Sequence, residues 1–243
     1  MLKWETPLGE IKEKGTEEQA DLFLGFSSSS IKVEDKLSRN IGYVNVFDRN
    51  GVWKFTKSST EFLDFDKRLS VIPKIITNAI DGFLASGEKI KVIDIHYSKK
   101  FSQKEREKCY KVIIEKIPEI KTVNFISINK THPIRLFKKL PENTVISLAG
   151  NKILINTSSK PDHNRLFEIT LWNLPESEIT QEKLMTIYYR IKNLTLLNWR
   201  SVVDTTEPVT LKYSEEIAKL LNHFNLTEWS RINTHLSNIP WFI

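Results

Sequence analysis

The chain has 243 residues, 40% of them hydrophobic and 27% charged, with eight Gly and nine Pro. This composition excludes wholesale disorder and collagen-like or linker-dominated chains, and a lone Cys109 excludes an internal disulfide framework or a zinc centre built on several cysteines. Thirty-six Lys and Arg against thirty Asp and Glu give +6, a surplus that suits a polyphosphate partner only if the positive charge is gathered on one face.

Residues 1–20 are polar and rich in acids, a lead-in to a single domain spanning 21–243. They lack the apolar stretch of a secretory leader, and no apolar run reaches the roughly 18 residues of a membrane span. The expectation is therefore no membrane insertion and a reducing, cytoplasmic setting. Asp21 to Phe26 reads as a buried strand that stops at four serines, Ser27 to Ser30. Residues 39–48 and 52–58 alternate apolar and polar around Asn50-Gly51, which predicts a hairpin.

Phe62, Phe65, Leu69, Ile72, Ile76, Ile80 and Phe83 then recur at helical spacing, and Pro73 predicts a kink or a join between two shorter helices. The β-branched run 89–97 predicts a fourth strand. Ser102 caps a charged helix that stops at Pro118, and 122–130 is a fifth strand. Strand, helix, strand in that order favours parallel pairing. A second hairpin follows at 144–149 and 152–158 around Gly150-Asn151, then a strand at 165–173 and helices near 180–192 and 211–224.

Three antiparallel strands, then helix, strand, helix and strand, is the order of an RNase H-like core, in which the first and fourth strands lie side by side. Four stretches resemble the PIWI domain of Argonautes: DLFLGFSSSS (21–30), VNFISINKTHPIRLF (123–137), TVISLAGNKILINTS (144–158) and LTLLNWRSVVDTTEPVTLKYSEEIAKLL (194–221). The apolar C-terminus ending in Ile243 is similar too. The resemblance covers most of the chain and implies an α/β fold: an RNase H-like PIWI domain with a mixed sheet flanked by helices.

It also implies where a nuclease would keep its metal ligands. Two divalent ions need several anionic oxygens close together to flank a scissile phosphate. At the end of the first strand stands Ser27, and after the fourth strand, in place of an Arg-Asp pair, Tyr97-Ser98. Glu215 in the last helix matches a fourth ligand, and Glu61, Asp64 and Asp66 fall in the region of the mobile glutamate. A serine hydroxyl is neutral and a poor metal ligand, so the expectation is a domain that does not cut: no enzyme. Asp94 is a candidate replacement ligand, against a bland reading as a solvent-facing or structurally paired strand residue.

The resemblance further implies a phosphate-binding set: Lys130 and Arg135 after the fifth strand, and Asn198, Arg200, Thr206 and Lys212 near the last helix. Arg grips phosphate with a planar fork and Lys as a point charge. In some prokaryotic Argonautes the terminal carboxylate ligates Mg²⁺ or Mn²⁺ at the guide 5′ phosphate, which points to Ile243 as a metal ligand. With about twenty residues ahead of the first strand, a partner protein is expected to supply the MID or N-terminal portion, and another an effector.

The leading expectation is guide-dependent binding of a target strand by a short, cleavage-deficient Argonaute acting as a sensor in prokaryotic defence. Two alternatives stand beside it. One is a divalent-metal-dependent nuclease with a relocated carboxylate site of Asp94, Glu215 and an acid from 61–66; the other is a scaffold that binds no nucleic acid. His132, the Lys99 to Lys108 stretch, Trp53, Trp172, Trp199 and Cys109 read as structural or solvated.

Overall fold

The computed structural model describes residues 19–34, 37–134, 144–156, 166–197, 207–221, 223–225, 227–229 and 231. Among the described residues eight strands form one sheet in the order β3-β2-β1-β4-β5-β8-β7-β6. They are β1 (Leu22–Glu34), β2 (Leu37–Asp48), β3 (Trp53–Phe62), β4 (Val92–Tyr97), β5 (Thr122–Asn129), β6 (Val145–Ser147), β7 (Lys152–Asn156) and β8 (Leu166–Leu174). Four helices accompany them: α1 (Arg68–Leu84), α2 (Gln103–Lys116), α3 (Gln181–Leu196) and α4 (Val209–Leu221).

β1 pairs antiparallel with β2 on one side and parallel with β4 on the other, and β4 pairs parallel with β5. The expected neighbours are thus adjacent, and β8, antiparallel to β5, extends the sheet towards the second hairpin. Asp48, Gly51 and Val52 close the first hairpin, with Gly51 at φ +72°, a conformation that favours glycine there.

Strand alternation sorts the helices onto two faces. Leu22, Leu24, Phe26, Ile93, Ile95, Tyr97, Val123 and Phe125 bury against α1 and α2. Phe23, Tyr43, Phe47 and Val92 pack on the opposite face with α4, where Ile126, Ile128 and Ile169 meet α3. α2 begins on a reciprocal capping box: the Glu105 backbone N–H donates to the Ser102 hydroxyl, and the Ser102 N–H donates to the Glu105 carboxylate at 2.7 Å.

Two expectations are corrected. β1 does not stop at Ser27 but continues through all four serines to Glu34, because β2 pairs with each in turn, from Ser27 opposite Tyr43 to Ser30 opposite Asn40. Ladder bonds outweigh the weak strand preference of serine here. Pro73 does not split its helix either. α1 is continuous from Arg68, preceded by a single 3₁₀ turn at Phe65–Lys67, and Pro73 is buried in it.

Candidate functional site

The site is built where β4 ends beside β1. The parallel ladder finishes on Phe26 opposite Tyr97, so Ser27 and Ser98 are the residues that follow its last rung, β1 running on and β4 ending there. Ser27 is half-buried and Ser98 exposed. Phe26 faces α1 and α2, so Ser27 falls on the α4 face, as Gly25 does.

α4 is held along β1 by three successive contacts. A Cβ on Gly25 would lie 2.3 Å from the Thr210 carbonyl oxygen. Tyr43, opposite Ser27 and hydrogen-bonded to it, donates its hydroxyl to the Ser214 carbonyl at 2.6 Å. The Ser29 hydroxyl donates to the Ala218 carbonyl at 3.4 Å. The spacing follows from element geometry: four residues of helix rise about 6 Å and two residues of strand about 6.6 Å, so helix and strand keep step. Burial pushes the Tyr43 hydroxyl well above its ordinary pKa, which keeps it a neutral donor.

This alignment brings Glu215 to the same end of the cleft, where Lys130, just beyond β5, pairs with it. The Lys130 ammonium also lies 2.7 Å from Glu207, two residues ahead of α4. Lys212 pairs with Glu216 one helical turn on, at 3.1 Å, and Glu216 is shared with Lys219 at 2.9 Å; these two lysines hold its carboxyl below the usual range against the opposing effect of burial. Both lysines assigned to phosphate within the described residues are therefore internally paired. Arg135, Asn198, Arg200, Thr206, Trp199 and Ile243 lie outside the described residues.

The acids of the relocated-site reading do not converge. Asp94 is fully buried, not solvent-facing: Arg190 of α3 pairs with its carboxylate at 3.2 Å and the Asn124 amide donates to it at 2.7 Å. Glu61 pairs with Lys74 at 2.7 Å, Asp64 pairs with Arg39, and Glu215 is taken by Lys130. Next to Asp94 on the same face, His96 lies 2.9 Å from the Thr210 hydroxyl through Nδ1. Burial pulls the His96 imidazole down to about 4.

Among the described residues no three His, Cys, Asp or Glu side chains are grouped to hold a metal. The divalent pair that the sequence resemblance implies does not fit the residues present. Two of its positions carry hydroxyls, Ser27 and Ser98, and the carboxylate of Glu215 already has an ammonium counter-ion. Arg190 and Glu207 were not singled out from the sequence. Arg190 left a usable signal, a charge at helical spacing among the buried Ile187, Ile191 and Leu194; Glu207 left none.

Several features kept for structural roles sit as expected of them. His132 is buried with Nε2 3.1 Å from the Leu166 carbonyl. Cys109 is buried in the core with its thiol pushed well up, chiefly by burial. Trp172 packs on the core under the Arg106 guanidinium, 4.6 Å from the ring centre. Lys99, Lys100, Lys104 and Lys108 are exposed, whereas Glu105 between them is buried as the cap of α2. Among the described residues no helix is long and apolar enough to cross a membrane.

No protein-family model and no curated protein matches the chain. Solved structures do. The chain is similar to the Argonaute Aa-Ago with externally bound siRNA, at TM-score 0.64 and 18% identity over 84% of this chain and 28% of that one. It is similar to Aquifex aeolicus Argonaute, at TM-score 0.63 and 19% identity over 84% of this chain and 29% of that one. Marinitoga piezophila Argonaute in complex with 5′-OH guide RNA and target DNA matches at TM-score 0.65 and 15% identity, over 93% of this chain and 32% of that one. The fold is thus Argonaute-like, a mixed sheet flanked by helices, and the chain spans about a third of the length of the Argonautes it matches.

Proposed function

We propose that this chain is the PIWI part of a short Argonaute that binds a guide and its target strand without cutting. The observation that carries the reading is the pair Ser27 and Ser98, which follow the last rung of the β1–β4 ladder, at positions where the resemblance to slicing Argonautes calls for acids. In support, the Marinitoga piezophila Argonaute of the same fold is in complex with guide RNA and target DNA. Guide phosphates are gripped by Arg135, Asn198, Arg200, Thr206 and Lys212; Lys130, expected with them from the sequence, is instead held between Glu207 and Glu215. A half-buried lysine–glutamate pair one helical turn apart, such as Lys212–Glu216, is still open to solvent and yields to a phosphate.

In this reading the Ile243 carboxylate would help hold Mg²⁺ or Mn²⁺ at the guide 5′ phosphate, where the ion would supply positive charge. The protein works in the cytoplasm as a target sensor in prokaryotic defence. A partner supplies a MID-like portion of the pocket, and another acts as effector.

The test is a titration with a 5′-phosphorylated oligonucleotide, followed by addition of a matched target in Mg²⁺ or Mn²⁺. Salt-sensitive binding, weakened about tenfold by Arg200→Ala, with the target left whole, is expected. Cleavage of the target would overturn the reading. A second reading, the scaffold, draws on the internal pairing of Lys130 and Lys212; no salt-dependent binding, and no effect of Arg200→Ala, would favour it.

A further inference from the structure

The cleft beside Ser27 carries a cation of its own. The Lys130 side chain is 28% exposed, and its ammonium stands between the carboxylates of Glu207 and Glu215, which arrive from either side of the start of α4. Glu207 is mostly buried, with 16% of its side chain exposed. Two carboxylates converging on one spot, Glu207 mostly buried and Glu215 41% exposed, repel each other and draw a counter-charge between them.

A divalent ion would answer that need with oxygen ligands and open positions for substrate. An ammonium answers it with three N–H donors and a single charge, and it leaves no coordination position open. One ammonium between two carboxylates also leaves the cluster near −1, too little charge to strip a hydrated divalent ion of its water.

We infer that the Lys130 ammonium takes the place of the divalent ion in this cleft, clamping the end of β5 to α4 and shutting metal out. Returning acids to positions 27 and 98 therefore does not by itself rebuild a metal site; Lys130 must also go. The inference deepens the non-cutting reading and rests on it for the choice of positions 27, 98 and 215.

The experiment uses Mn²⁺ alone, followed by its electron paramagnetic resonance signal, with protein free of nucleic acid. The wild type and the Ser27→Asp/Ser98→Asp variant are expected to leave the free-ion signal intact at micromolar Mn²⁺. Adding Lys130→Met, which keeps the apolar stem, is expected to bind Mn²⁺ at least tenfold more tightly, and a further Glu215→Gln is expected to abolish the gain. Far-UV circular dichroism checks that each variant is folded, with Lys130→Ala in the same background as the replacement if the Met variant is not. Equal Mn²⁺ uptake with and without Lys130, or none by the Lys130 variants, would overturn the inference. Failure to bind oligonucleotide would instead strike only the functional reading, since no oligonucleotide enters this measurement.

Discussion

At the scale of single residues, the polar groups beneath the sheet are what distinguish this core from a purely apolar one. Asp94, Asn124, Arg190, His96 and Thr210 are all buried, and they meet on the α3 and α4 face. The His96 imidazole faces the Asp94 carboxylate, which favours its protonation, and the Arg190 guanidinium, which opposes it; burial outweighs both and holds it near 4. An unfolded His binds its proton near 6.5 and the folded one not until about 4, so the stabilisation is complete above 6.5 and is lost as pH falls through that window. We expect the unfolding free energy to drop by roughly 3 kcal/mol more between pH 7 and pH 4 in the wild type than in His96→Gln, read from urea titrations at each pH.

At the scale of elements, α4 decides the site, and its approach to β1 depends on one missing side chain. The Thr210 backbone sits where a Cβ on Gly25 would be, so alanine there drives helix and strand apart. Gly25→Ala is expected to cost about 3 kcal/mol, seen as a lowered urea midpoint with an unchanged slope. A midpoint within experimental error of the wild type would mean that α4 can shift freely. The helices themselves were largely legible: the Ser102 cap of α2 and the apolar repeat of α1 each stand in one stretch of sequence, although Phe62 at the head of that repeat ends β3 and Phe65 lies exposed in the 3₁₀ turn before α1. The length of β1 was not, because four serines carry no strand signal until β2 is laid against them.

At the scale of the whole molecule, charge is distributed rather than concentrated in what is described here. The net charge is +6, yet Lys130, Lys212, Lys74, Lys54 and Lys116 are each paired with an acid. The salt dependence of nucleic-acid binding in the proposed function counts the cations that contact phosphate. For a single strand, log K falls with log salt at a slope of about 0.7 per phosphate neutralised. Arg200→Ala is expected to reduce that slope by about 0.7, whereas Lys74→Ala, on α1 across the sheet from α4, leaves it unchanged. Equal slopes for all three proteins would remove Arg200 from the contact set.

The sequence alone determined the kind and order of the elements, the hairpin turns, and the hydroxyls at positions 27 and 98, because periodicity, caps and residue identity are local properties. Tertiary structure decided what those residues meet. Lys130 and Glu215 are 85 residues apart and Asp94 and Arg190 are 96 apart, yet each pair shares an ion pair. Which acid neutralises which cation is set by strand order and by the register of a helix along a strand, and these exist only once the sheet has closed around them.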